Sequence, residues 1–223
     1  MRVRHLALTM AAGVAVLAIV AGLGACTSSG SSSGLPDQVP PASASPSSTA
    51  SGFGATGSKA YGFTLKYPLG WVAASKSAGV ADKSGGPLVS LIWADPSGKQ
   101  VDDHYVDSLQ LSVYAMSKRL GPTDLTRHAA DFKGIAYSLI RNLPQLSVTD
   151  PLKPIDLNGT KGFQITYRFS INGTLAGAMS YLLPRGRYAY WVTGQASRST
   201  WSAAWSKMAP AMASLTIRDV TTN

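Results

Sequence analysis

In a chain of 223 residues, 20 lysines and arginines stand against 11 aspartates for a formal net charge of +9, and glutamate is absent altogether. The missing glutamate excludes H-E-x-x-H zinc sites and glycosidases built on glutamate pairs, since both need that carboxylate at a fixed place. A single cysteine excludes a disulfide within the chain, and the positive excess favours anionic surfaces, polyanions or acidic proteins as partners.

The first 25 residues read as an export signal. Arg2 and Arg4 supply a charged start, residues 6–21 are apolar, and small residues lead to the cysteine. Leu23-Gly24-Ala25-Cys26 resembles the lipobox of bacterial lipoproteins. That resemblance implies cleavage after residue 25, acylation of the Cys26 thiol, and a mature chain anchored on the extracytoplasmic face of the cell membrane. An uncleaved span is the weaker alternative, because the apolar run before Leu23, about 17 residues, falls at the short limit for crossing roughly 30 Å of hydrocarbon. Val3 separates the two arginines, so a twin-arginine signal is missing and export as an unfolded chain is expected. No cofactor is expected to travel with it.

Residues 27–58 are almost wholly Ser, Gly, Ala, Thr and Pro, with Asp37 the one charge and Phe53 the one aromatic. Too little apolar surface is present to offset ordering entropy, so with Cys26 the segment reads as a flexible tether. As a free coil it would have an end-to-end distance of roughly 28 to 34 Å. Gly30-Ser31-Ser32-Ser33-Gly34 matches the nucleophile-elbow spacing but lacks the strand and helix that motif requires.

Residues 59–223 suit one domain. Tyr61, Phe63, Leu65 and Tyr67 alternate as one face of a strand over 61–67, before Pro68 and Gly70 turn the chain into Trp71-Val72. Strands are predicted over 88–93 and 109–114, with Asp95-Pro96-Ser97-Gly98 in the polar loop between them. Leu125, Ala129, Phe132, Ala136, Leu139 and Ile140 recur at helical spacing and predict a helix over 124–141, with Thr123 as N-cap and Pro144 past its end. Strands over 162–171 and 174–183 meet at Asn172-Gly173, the preferred pair for a type I′ turn. A turn at 184–187 leads to a strand over 188–193. Trp201, Trp205, Met208 and Met212 mark one face of a last helix starting near Ser199 or Thr200, which Pro210 is expected to kink or split. Leu215-Thr216-Ile217 is a short closing strand. The order predicts an α+β fold, an antiparallel β-sheet flanked by helices.

The segment Tyr61-Gly62-Phe63-Thr64-Leu65-Lys66-Tyr67-Pro68-Leu69-Gly70-Trp71 resembles the opening signature of PsbP-like domains. Leu157-Asn158-Gly159 with residues 162–167, and the tail with Trp201, Trp205 and residues 214–217, fit the same pattern. The resemblance implies a PsbP-like α/β/α sandwich over 59–223, in a family that includes bacterial lipoproteins of the actinobacterial LpqN type. It also implies action through partner binding, and it transfers no catalytic site.

Candidate chemistry is sparse. Asp102, Asp103, His104 and Asp107 are the densest polar cluster, open to a metal or proton-transfer reading but ordinary for a solvated loop. His128 lies one position off the apolar helix face. Residues 59–223 carry 18 lysines and arginines against 10 aspartates, a field suited to anionic headgroups, phosphate-bearing wall polymers or an acidic protein; the export signal argues against nucleic acid. Arg185 and Arg187 in the predicted turn, with Lys161 and Arg168 on neighbouring strands, are the candidate partner-binding residues. No metal site and no catalytic residues are expected. A non-enzymatic binding module is the leading reading. A carrier of lipid or small apolar ligand, suggested by the Trp and Met residues of the last helix, and a hydrolase using His104 or His128 are the alternatives. Asn158-Gly159-Thr160 and Asn172-Gly173-Thr174 match glycosylation acceptors but read first as turns.

Overall fold

The computed structural model describes residues 52–78, 86–101, 104–120 and 124–220. The signal, Leu23 to Cys26, the tether up to residue 51, and the residues Asp102, Asp103 and Thr123 lie outside the described residues.

The described residues open with an antiparallel pair, β1 (Phe53–Ser58) and β2 (Phe63–Pro68), which β11 (Thr216–Ile217) joins on the other edge of β2. The sequence reading assigns residues 53–58 to the tether; the structure makes them a strand. Their small side chains hide the usual alternation. Gly54 lies under the Tyr67 ring, where a Cβ would come within 2.5 Å of Cζ, so the bare backbone is what permits the contact.

The main sheet contains β3 (Val72–Ala78), β4 (Val89–Ala94), β7 (Ser108–Leu120), β8 (Ser147–Leu157), β9 (Thr160–Ile171) and β10 (Thr174–Ser197), in the order β3-β4-β7-β10-β9-β8 and antiparallel throughout. A two-residue pair, β5 (Gln100–Val101) with β6 (His104–Tyr105), sits in the connection before β7. The 24 residues of β10 fold back on themselves. Ser180 Oγ lies 2.7 Å from Thr193 Oγ1, and the Arg198 amide donates to the Leu175 carbonyl at 3.0 Å. Thirteen extended residues would instead span about 43 Å. Carried to the tip, this register sets Arg185 opposite Tyr188 and leaves Gly186 and Arg187 as a two-residue turn. Gly186 has φ 61 in the first position, as a type II′ hairpin requires.

The β9–β10 and β8–β9 hairpins use type I′ turns. Asn172 and Gly173 have φ 44 and 81, and Asn158 and Gly159 have φ 52 and 77. The Asn158 amide also donates to the carbonyls of Ala213 and Leu215 at 2.8 and 2.9 Å, fastening the β8–β9 turn to the chain's last helix. Strand β8 carries Pro151 and Pro154 and is tolerated as an edge, with register shifts between Val148 and Lys153.

Two cores cover the sheet's faces. On one, Phe132, Ile135, Ala136, Leu139 and Ile140 of α2 (Ala129–Ile140) pack over Phe163, Ile165, Tyr167, Phe169 and Trp191. On the other, α3 (Trp201–Ala213) and the small sheet pack over Leu91, Leu109, Leu111, Tyr190 and Val192. The predicted helix over 124–141 is divided at His128 (φ −109, ψ 20) into α1 (Asp124–Arg127) and α2, although the amide of Phe132 still reaches the His128 carbonyl at 3.1 Å. Pro210 leaves α3 in one piece. It lies on the exposed side of the last turn, where water can reach the Ser206 carbonyl that loses its amide donor.

Candidate functional site

The hairpin tip of β10 forms one wall of a surface pocket lined by Arg119, Arg185, Gly186, Arg187, Tyr188, Tyr190, Arg218, Asp219 and Val220. Three parts of the chain meet there. Arg119 comes from the end of β7, brought in because Leu120 pairs with Gly186 after a wide bulge between Ala115 and Leu120. Arg218, Asp219 and Val220 follow β11 and are held by the Arg218 amide, which donates to the Gly62 carbonyl at 2.7 Å.

Arg185 is committed inside the domain. Its Nε and Nη2 each donate to the Asp219 carboxylate at 3.2 Å, and Nη1 donates to the buried Thr160 hydroxyl at 3.3 Å. The bidentate fork from Arg185, with that cation's charge and that of Arg119, outweighs a small burial penalty and holds the Asp219 carboxyl below its ordinary value. Because the folded value is depressed, the contact contributes above the ordinary carboxylate range and is lost only as pH falls through the lowered value. Arg185→Ala is expected to return Asp219 toward the usual titration near pH 3.9, read by carboxyl carbon NMR.

Arg119, Arg187 and Arg218 are exposed, and none of them makes a salt bridge among the described residues. The lining therefore holds four guanidiniums and one carboxylate. Beneath it, the Tyr190 hydroxyl donates to the Tyr61 carbonyl, and the rings of Tyr61, Tyr188 and Tyr190 meet edge to face at 5.4 and 6.5 Å. Burial, reinforced by Tyr188 and opposed by Arg185, pushes the Tyr190 phenol well above its ordinary value, so it stays protonated as a fixed donor. The pocket thus has a rigid aromatic floor and a cationic rim.

Of the residues singled out from sequence, Arg185 and Arg187 are in this pocket and Lys161 and Arg168 are not part of its lining. Lys161 adjoins Thr160 but follows the parity of Phe163 and Ile165, which face α2. Arg168 lies seven residues further along β9, about 23 Å of extended chain, opposite Gly177. Arg119, Arg218 and Asp219 escaped the sequence reading, since nothing local marks them.

The acidic cluster resolves differently. Asp107 is buried and accepts the amides of Ser197 and Lys99 at 2.9 and 3.3 Å, joining the loop before β7 to the end of β10. His128 Nδ1 lies 3.0 Å from Asp131 Oδ2 on the surface of α2. Among the described residues no group of three His, Cys, Asp or Glu side chains is placed to hold a metal. Beneath α3 the space is filled: Met208 and Met212 are fully buried, and a Cβ on Gly194 would fall 2.8 Å from Met212 Sδ. That packing removes the support for a ligand cavity under the helix.

No family profile and no curated protein sequence matches the chain. Solved structures do. The solution structure of cyanobacterial PsbP (CyanoP) from Synechocystis aligns with a TM-score of 0.51 at 15% identity, over 80% of this chain and 99% of that one. LpqN, described as involved in cell envelope biogenesis of Mycobacterium tuberculosis, aligns with a TM-score of 0.48 at 13% identity, over 76% of this chain and 87% of that one. The Ran-binding protein Mog1p of Saccharomyces cerevisiae gives 0.42 at 11%, over 76% and 97%. The chain has a PsbP-like α+β fold, as the opening signature implied.

Proposed function

We propose that this chain is a lipid-anchored, non-enzymatic binding module on the extracytoplasmic face of the cell membrane, and that the arginine-lined pocket is where it holds an anionic envelope component or an acidic protein. The observation that carries this reading is the convergence of four arginines from three separate parts of the chain around a single carboxylate. A merely solubilising surface would scatter those charges. The anchor rests on Leu23-Gly24-Ala25-Cys26 and the apolar segment before it.

Anchoring and binding are tested separately. One acyl chain holds a protein marginally and two or more hold it stably, so the anchor is tested at the acylated residue, where Cys26→Ser is expected to abolish incorporation of labelled palmitate. Unchanged labelling would refute the lipobox. For the binding module, crosslinking in intact envelopes with a photoreactive group at Val220, on the pocket rim, is expected to capture an acidic or phosphate-bearing partner. The yield should fall when Arg187 is changed to Glu. A yield indifferent to Arg187→Glu would count against the pocket as the contact.

A further inference from the structure

Resting on that reading of the pocket, we propose that its ligand is a phosphate ester carried by an envelope polymer, and that Asp219 is a resident stand-in which this phosphate displaces from Arg185. The rim already shows what a carboxylate does there. Asp219 takes one guanidinium fork, both of its oxygens on Arg185, and leaves Arg119, Arg187 and Arg218 without an ion pair among the described residues. One planar carboxylate satisfies one fork, whereas a tetrahedral phosphate offers oxygens in several directions and can accept from several forks at once. The three further arginines suit the second geometry.

The contact with Asp219 can be exchanged. Its carboxylate side chain is 55% exposed, and it sits past the last strand. When the carboxylate leaves, Arg185 keeps its bond to Thr160 and so stays aimed at the pocket. Water and counter-ions can solvate the freed Asp219. In the resting state the pair masks one cation and lowers the rim's positive charge, so a ligand that engages several arginines competes better than a weak anion that engages one.

The pocket lies at the end of the small sheet away from the chain's entry into the domain, which leaves it open to a ligand reaching in from outside. The chain enters the domain where Phe53 pairs with Pro68, and the pocket lies beyond the other end of β2, where Ile217 pairs with Phe63 and Arg218 bonds to Gly62. Those ends are about 20 Å apart along the strand.

The test uses the full chain carrying Cys26→Ser, titrated with poly(glycerol phosphate), with phenyl phosphate and with benzoate. Asp219→Asn, which keeps the shape and one acceptor oxygen, is expected to bind both phosphates about fivefold more tightly than the parent. The gain should vanish when Arg185→Ala is added, and benzoate should bind at least tenfold more weakly than phenyl phosphate. A folded Asp219→Asn chain that binds phosphate no better than the parent overturns the stand-in role while leaving the pocket intact. Should Asp219→Asn not fold, rising phosphate must still raise the Asp219 carboxyl titration in the parent, and an unmoved titration would overturn the displacement. Phosphate binding indifferent to Arg119, Arg187 and Arg218 overturns the underlying pocket reading instead. Capture by phosphatidylglycerol vesicles in preference to the polymer, lost when Arg119, Arg187 and Arg218 are changed to Gln, overturns the assignment of source.

Discussion

Changing Arg119, Arg187 and Arg218 together to Gln is expected to abolish retention of the chain on its anionic partner at 0.15 M ionic strength while leaving its melting temperature nearly unchanged. The three side chains are exposed and make no ion pair among the described residues, and surface substitutions of that kind usually change stability by about 0.5 kcal/mol or less. Attraction to an anion is a sum over near charges, screened over about 8 Å at this ionic strength, so removing three of the four cations of one rim removes most of it. The control is Lys133, Lys161 and Arg168 changed to Gln, which subtracts the same charge from other places. If both triples weaken binding equally, the whole domain's field is responsible and the pocket has no special part. If only the first does, recognition is local.

What the sequence disclosed about this site depended on how local the cause was. Asn172-Gly173, Asn158-Gly159 and Gly186 at the β10 tip are legible because a two-residue turn needs positive φ at fixed places, and few residues adopt it cheaply. Arg185 and Arg187 were found by standing beside that glycine. Arg119 reaches the same rim through the register of β7 on β10, and Arg218 through a hydrogen bond to Gly62, neither of which leaves a trace in neighbouring residues.

Strand β1 was illegible for a related reason. Residues 53–58 are built from Gly, Ala, Thr and Ser after Phe53, a composition shared with the tether, and they become a strand only because β2 offers them an edge. The last helix shows the opposite case. Its Trp and Met residues recur at helical spacing and mark a face, but spacing alone cannot say whether such a face surrounds a ligand or a packed core. The close approach of Gly194 to Met208, Met212 and Trp205 decides for the core.

A heavy loss of stability is expected from Gly62→Ala. Gly62 has φ 65, and a Cβ there would lie 2.5 Å from the Arg218 carbonyl oxygen and 2.8 Å from Val220 Cγ2. Left-handed backbone costs a residue with a side chain about 1–2 kcal/mol, and overpacking adds about 1–3, so a destabilisation of about 2–5 kcal/mol is expected in denaturant unfolding. The obstructing atom is backbone, so no rotamer change relieves it. The chain must lift residues 218–220 away, breaking the bond from the Arg218 amide to Gly62 and carrying Arg218 and Asp219 off the rim. Gly70→Ala separates the two costs, because Gly70 has φ 84 but nothing within 4 Å of its added Cβ. It should lose only the conformational part and keep full anion binding. Gly62→Ala, studied where it is still folded, should bind anions less well than the parent. Equal losses at the two glycines, with binding intact in both, would mean that the tail is not held where the pocket needs it.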